Sequence, residues 1–288
     1  MVGCGSNAKS AGVTNEWKPS SVNAATLPLG DKYVSTTAAK VGDAYVCQAG
    51  GPQRVGADVA GPWIDRAAGV WDSTKKISVV GKMSWPAAEY GETVAGADRT
   101  LVTNGLPVKT ITGTFPIGND DPAFKFDRNP NAIKEVALKF VLPVTPVAAA
   151  KPSCLPMGPI GMYRNGVALY SPIDEAGRDA VAWETQDVCE GHPQQQGQYH
   201  YHDVASCLIT AAQGPSTVVG WAADGYPIVV ERNAKGEFPS NADLDECHGR
   251  TSPILLDGKT VTTYHYTATK EFPYILGCFH STLVRPTR

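Results

Sequence analysis

The chain of 288 residues is 42% hydrophobic and only 18% charged, with a net charge of −3. It has no basic field to hold nucleic acid or an anionic membrane, and no apolar run reaches the length of a bilayer span. The low charged share is ordinary for an exported β protein, and 29 glycines with 22 prolines predict many turns and few long helices.

Residues 1–30 carry no hydrophobic periodicity and read as a flexible tether. The start, Met1-Val2-Gly3-Cys4, has the aliphatic, small, Cys order that ends a bacterial lipoprotein signal. The apolar segment that should precede such a signal is absent, so the expectation is a trimmed start with Cys4 lipidated. A lipid anchor at Cys4 is then the one membrane contact expected. The alternative is an unpaired thiol at an ordinary start.

Residues 31–288 read as a single β-rich domain. Lys76–Trp85 is β-branched and predicts a strand, and Val136–Leu142 alternates with Val136, Leu138, Phe140 and Leu142 on one face. Met162–Tyr170 is a hairpin signal with Asn165-Gly166 at its turn, and Asn104-Gly105, Asp224-Gly225 and Asp257-Gly258 mark further turns. Arg178–Val188 predicts a short helix. Val204–Gln213 predicts a second, with Asp203 as its cap and Gly214 as its stop. Val261–Thr267 alternates as a strand. The balance favours a mainly β fold, a sandwich with one or two short helices.

The seven cysteines are Cys4, Cys47, Cys154, Cys189, Cys207, Cys247 and Cys278, and no pair has the Cys-x-x-Cys spacing of a zinc ribbon or redox motif. Six widely spaced cysteines and one left over near the start predict three disulfides in an oxidising compartment, periplasmic or cell-surface. Buried free thiols are the alternative.

All six histidines lie between positions 192 and 280. In Tyr199-His200-Tyr201-His202, strand alternation puts both imidazoles on one face with their Cα atoms about 6.6 Å apart. Tyr264-His265-Tyr266 echoes that frame, and laid beside it His265 becomes a third ligand. Three imidazoles leave a tetrahedral ion one open position, and neutral imidazole suits zinc or copper. His192, His248 and His280 are expected around this site or as further ligands, with Asp187, Asp224, Asp245 and Glu246 as nearby carboxylates. Turn formation and capping explain those carboxylates equally well. Asn241, Asp243 and Asp245 alternate as calcium ligands would, but Glu246 and Ser252 then stand where the calcium loop needs glycine and glutamate. Trp63, Trp71 and Trp85 can line a glycan surface or pack in the core. Nucleophile elbows, phosphate loops and dinucleotide fingerprints are missing.

The string Gly197-Gln198-Tyr199-His200-Tyr201-His202, preceded by Cys189-Glu190-Gly191-His192-Pro193, resembles the bacterial YHYH protein family. So do Gly158-Pro159-Ile160-Gly161, Gly220-Trp221-Ala222-Ala223-Asp224-Gly225 and Leu244-Asp245-Glu246-Cys247-His248-Gly249. Upstream, Asn104-Gly105-Leu106-Pro107 fits as well, and the likeness runs over about 100–280. It implies an exported protein, often a lipoprotein, and brings no reaction with it. One departure is Val229-Val230-Glu231-Arg232, where the family pattern has Tyr-Gly. Cys47 and Cys154 lie outside the family motifs and look like an added staple. The expected pairs are therefore Cys189–Cys207 and Cys247–Cys278, each flanking one Tyr-His strand, with Cys47–Cys154 outside them. Three functions fit. The first is an exported protein holding a divalent zinc or copper ion. The second is a metal-dependent hydrolase or copper oxidase acting on a small molecule. The third is a metal-free structural or glycan-binding surface protein.

Overall fold

Frequent glycine and proline cut the chain into short strands. The structure, a computed structural model, describes residues 22–51, 57 and 59–287. Cys4 and the rest of the expected tether to residue 21 lie outside the described residues. Residues 22–30 do not continue that tether. Leu27 and Leu29 are buried, because their alternate spacing lets both reach the core from an extended segment.

The described strands are Leu27–Pro28 (β1), Val34–Ser35 (β2), Ala44–Tyr45 (β3), Ile64–Asp65 (β4), Val70–Trp71 (β5), Tyr90–Ala95 (β6), Asp98–Thr103 (β7) and Leu138–Pro143 (β8). Pro159–Tyr163 (β9), Ala168–Tyr170 (β10), Gly191–Pro193 (β11) and Tyr199–Tyr201 (β12) follow. Ser216–Ala222 (β13), Pro227–Glu231 (β14), Gly249–Leu256 (β15) and Lys259–Thr267 (β16) complete them. Two short helices, Ala180–Trp183 (α1) and Ser206–Ala211 (α2), interrupt the strands.

The fold is mainly β, with several sheets rather than the simple two-layer stack expected. The largest has eight strands in the order β11-β12-β10-β9-β13-β14-β16-β15. It is mixed: β10 runs parallel to β12 and β14 parallel to β16, while the other neighbours are antiparallel. The meander β6-β7-β8 forms a separate sheet. Its inward residues Leu101, Phe140 and Leu142 share one core with Met162, Tyr163 and Trp221 of the large sheet. Arg99 of β7 lies with its guanidinium 3.6 Å from the Trp221 ring centre, and Thr103 donates to the Gly166 carbonyl at the β9–β10 turn.

Leu138, Phe140 and Leu142 alternate inward as the sequence predicts, and Gly166 takes the left-handed conformation the hairpin turn requires. Lys76–Trp85 forms no strand. Its backbone bonds instead to loops, Val79 to Gln186 and Met83 to Thr112, and Gly81 at φ 121° breaks the extended run. The helix expected over Arg178–Val188 is one turn, and α2 is capped by Ala205 rather than Asp203. Disulfides join Cys47–Cys154, Cys189–Cys207 and Cys247–Cys278, the pairs the sequence motifs imply. Trp63 and Trp71 are buried, Trp63 donating to the Ala182 carbonyl, so these two form no surface for a glycan.

Candidate metal centre

The site begins with a turn. Asp187 accepts hydrogen bonds from the N–H groups of Cys189, Gly191 and Gly113 and from the Tyr199 hydroxyl. Glu190 inside this turn adopts φ 64° and leads the chain into β11, and the turn from Gln194 to Gln198, with Gly197 at φ 90°, then reverses it so that β11 runs antiparallel to β12. Gly191 lies flat against the Tyr199 ring, where any Cβ would overlap it. The register sets His192 directly opposite His200. His202 follows two residues on, so all three imidazoles emerge on one face and all three are buried.

Two of these rings have fixed tautomers. The Nδ1 of His200 meets the Gln198 carbonyl at 3.1 Å, and that of His202 meets the Ser171 carbonyl at 2.5 Å. A carbonyl oxygen only accepts, so each Nδ1 carries a proton, and in the neutral ring each Nε2 presents a lone pair. The Nε2 of His202 lies 3.1 Å from that of His200 and 3.2 Å from that of His192. Tyr170 stacks on His200 at 3.9 Å and hydrogen-bonds Gln198, so the ring is held on its face as well as its edge.

Glu184, the residue that ends α1, completes the cluster. Its Oε2 lies 3.3 Å from His192 Nε2 and 3.2 Å from His202 Nε2. This oxygen is buried, with those two ring nitrogens as its polar neighbours. Burial alone would raise the carboxyl, but the His192 and His202 imidazoles outweigh it and hold Glu184 well below the usual carboxylate range. Burial pulls His192 down, yet the Glu184 carboxylate lifts it above its ordinary value. His200 is pushed well down by burial and by the other two imidazoles.

The residue set departs from the one expected. His192 takes the place proposed for His265. Four strands separate β12 from β16, which at about 4.8 Å per spacing puts His265 about 24 Å away. His265 instead faces Glu231, with Nε2 and Oε2 3.2 Å apart. His248 sits at φ 69° and bonds Ile275, Asn241 and Thr269 through both ring nitrogens, so it offers no free ligand atom. His280 stacks on Tyr264 at 3.8 Å, near Asp245. Asp187 supports the site from behind through Tyr199. Asp224 binds Tyr266 and Ser281, Asp245 holds the turn before β15, and Glu246 is exposed. Glu184 was hidden in the sequence because a helix continuing to Val188 would have absorbed it.

Fold and site together define a β-rich, disulfide-stapled protein with a buried three-histidine cluster. Residues 139–237 match the YHYH protein family, and the match assigns this segment to that family. It takes in Glu184 and all three clustered histidines and stops before His265. No curated protein and no solved structure matches the chain significantly.

Proposed function

We propose that the protein is an exported metal-binding protein that holds one zinc or copper ion through the Nε2 atoms of His192, His200 and His202. The observation that carries this is the convergence of three buried imidazoles, His200 and His202 with Nδ1 tied to carbonyls, on each other and on a buried carboxylate oxygen. A cation held between its members stabilises such a set. Zn–N bonds of about 2.0–2.1 Å in a tetrahedral shell place ligand atoms about 3.3–3.4 Å apart; the two separations from His202 are 3.1 and 3.2 Å, and all three ligand atoms lie within 4.8 Å of one another. Glu184 balances the charge of the ion from beside two of its ligands. Nitrogen donors without a carbonyl cage favour zinc or copper over calcium. Three disulfides support an oxidising, extracytoplasmic setting.

Elemental analysis of protein purified without chelator or histidine tag, followed by calorimetry of the stripped protein at neutral pH, tests the assignment. One ion per chain is expected. Finding neither zinc nor copper, by content or by titration, would reject it and bring forward a metal-free polar network.

A further inference from the structure

The eight-stranded sheet reads alike from either end. Each half contains two hairpins, β9–β10 with β11–β12 and β13–β14 with β15–β16. In each half the second strand of one hairpin runs parallel to the second strand of the other. The halves meet at β9 and β13, where Met162 faces Trp221 and the pairs on either side, Gly161–Ala222 and Tyr163–Gly220, mirror each other. A Cβ on Gly161 or on Gly220 would lie 2.7 Å from a carbonyl of the facing strand, so both positions call for glycine.

The details repeat as well as the topology. Asp187 and Asp245 each accept from the N–H groups two and four residues on. Each is followed by a half-cystine and then by a residue at positive φ, Glu190 at 64° and His248 at 69°. Next in each comes a glycine pressed on a tyrosine ring, Gly191 on Tyr199 and Gly249 on Tyr264. The phenols of Tyr201 and Tyr266 meet Asn165 and Asp224, each at the turn of its half's first hairpin. His200 and His265 each give Nδ1 to the carbonyl two residues earlier. Coincidence on this scale, in backbone and in contacts, points to one unit used twice.

The repeat breaks where the chemistry is. His192 faces His200 in the first half, and Arg250 faces His265 in the second. Two residues beyond, His202 corresponds to Thr267. The second half keeps a carboxylate, but from β14: Glu231 lies 3.2 Å from His265 Nε2, accepts from Thr267 at 2.9 Å and has Arg250 Nε at 3.5 Å. Glu231 and His265 are fully buried. A buried carboxylate needs a compensating cation, and here the chain supplies it as a guanidinium.

We infer that the domain is an internal duplication of one four-stranded unit, and that its second copy retains the cation pocket of the first but fills it with Arg250. The position shared by His192 and Arg250 therefore decides whether a unit takes a metal ion. The first half of this statement stands on geometry alone, and the second rests on the metal reading of His192, His200 and His202.

The test is the zinc content of Arg250→His/Thr267→His against wild type, after saturation and dialysis. The double variant is expected to hold one ion more per chain than wild type. The wild-type count tests the first site, and the increment tests this inference, so the two can fail separately. A folded double variant with an unchanged count overturns it. Should that variant not fold, His192→Arg decides. With chelator present, its melting temperature is expected to equal or exceed that of wild type, because a guanidinium then faces Glu184 as Arg250 faces Glu231. A clear fall in that melting temperature overturns the inference.

Discussion

The ring nitrogens of His200 and His202 that face away from the cluster are each tied to a carbonyl, and this gives the site its character. The bonds cost little in the folded protein, yet they remove the one tautomer that would let these rings satisfy each other. His202 is central, since its Nε2 is within 3.2 Å of both other imidazoles. His202→Ala is expected to weaken zinc binding by more than about 100-fold, exceeding the loss usual for a residue that only supports a ligand. Circular dichroism should be unchanged, because three disulfides and a large core hold the fold. Wild-type affinity by calorimetry in this variant would remove His202 from the ligand set. His248 shows the opposite use of an imidazole. Burial pushes it from 6.5 down to about 4. An imidazole depressed in the fold is protonated first in the unfolded chain, so its contribution is present above about pH 6.5 and is lost as pH falls toward 4. The cost is about 3 kcal/mol over that window. Urea midpoints measured from pH 7 to 4 should fall less steeply for His248→Gln than for wild type, and parallel curves would contradict the assignment.

At the scale of elements, the site depends on an edge. β11 has one neighbour in the sheet, β12, and is held to it by three register pairs and by the close contact of Gly191 with Tyr199. A methyl at Gly191 must push β11 outward and carry His192 with it. Gly191→Ala is therefore expected to cost about 1–3 kcal/mol in denaturant unfolding and to lower zinc affinity as well. Lost stability with unchanged affinity would separate β11 from the site. The same elements show what the sequence could and could not reveal. β8 and the β9–β10 hairpin were legible because period-two alternation and Asn165-Gly166 are local signals. The His200–His202 pair was legible for the same reason. The third ligand was not, since Tyr264-His265-Tyr266 imitates the Tyr-His frame while the sheet order puts four strands between it and β12. The choice of His192 follows from the register of β11 on β12, set by the turn from Gln194 to Gln198, and from the entry into β11 at Glu190, a positive φ at a residue type that gives no warning of it. Glu184 needed the end of α1 placed to within one residue, and helix ends are where sequence signals are weakest.

The whole molecule is a symmetric sheet with asymmetric chemistry. Its second half carries its cation covalently, and on the proposed reading its first half borrows one from solution. The two halves should therefore respond differently to metal. Binding to the native state stabilises it by about 2.7 kcal/mol when the free ion is about 100-fold above its dissociation constant. That gain falls on whatever opens when the site is lost. The proposed ligands join β11 to β12 and the residue after it, with Glu184 at the end of α1 beside them, so local opening of the β11 edge must break the coordination shell. At the other edge, β15 is paired with β16 over eight residues and its Arg250–Glu231 contact involves no ion. Local openings are drawn from regions with few contacts, and β11 has far fewer than β15. Hydrogen exchange with and without zinc should show slowed exchange over residues 180–202, with little change over 249–267. Equal protection at both edges would mean that zinc acts on global stability or binds a second place, and either result would count against a single ion held at His192, His200 and His202.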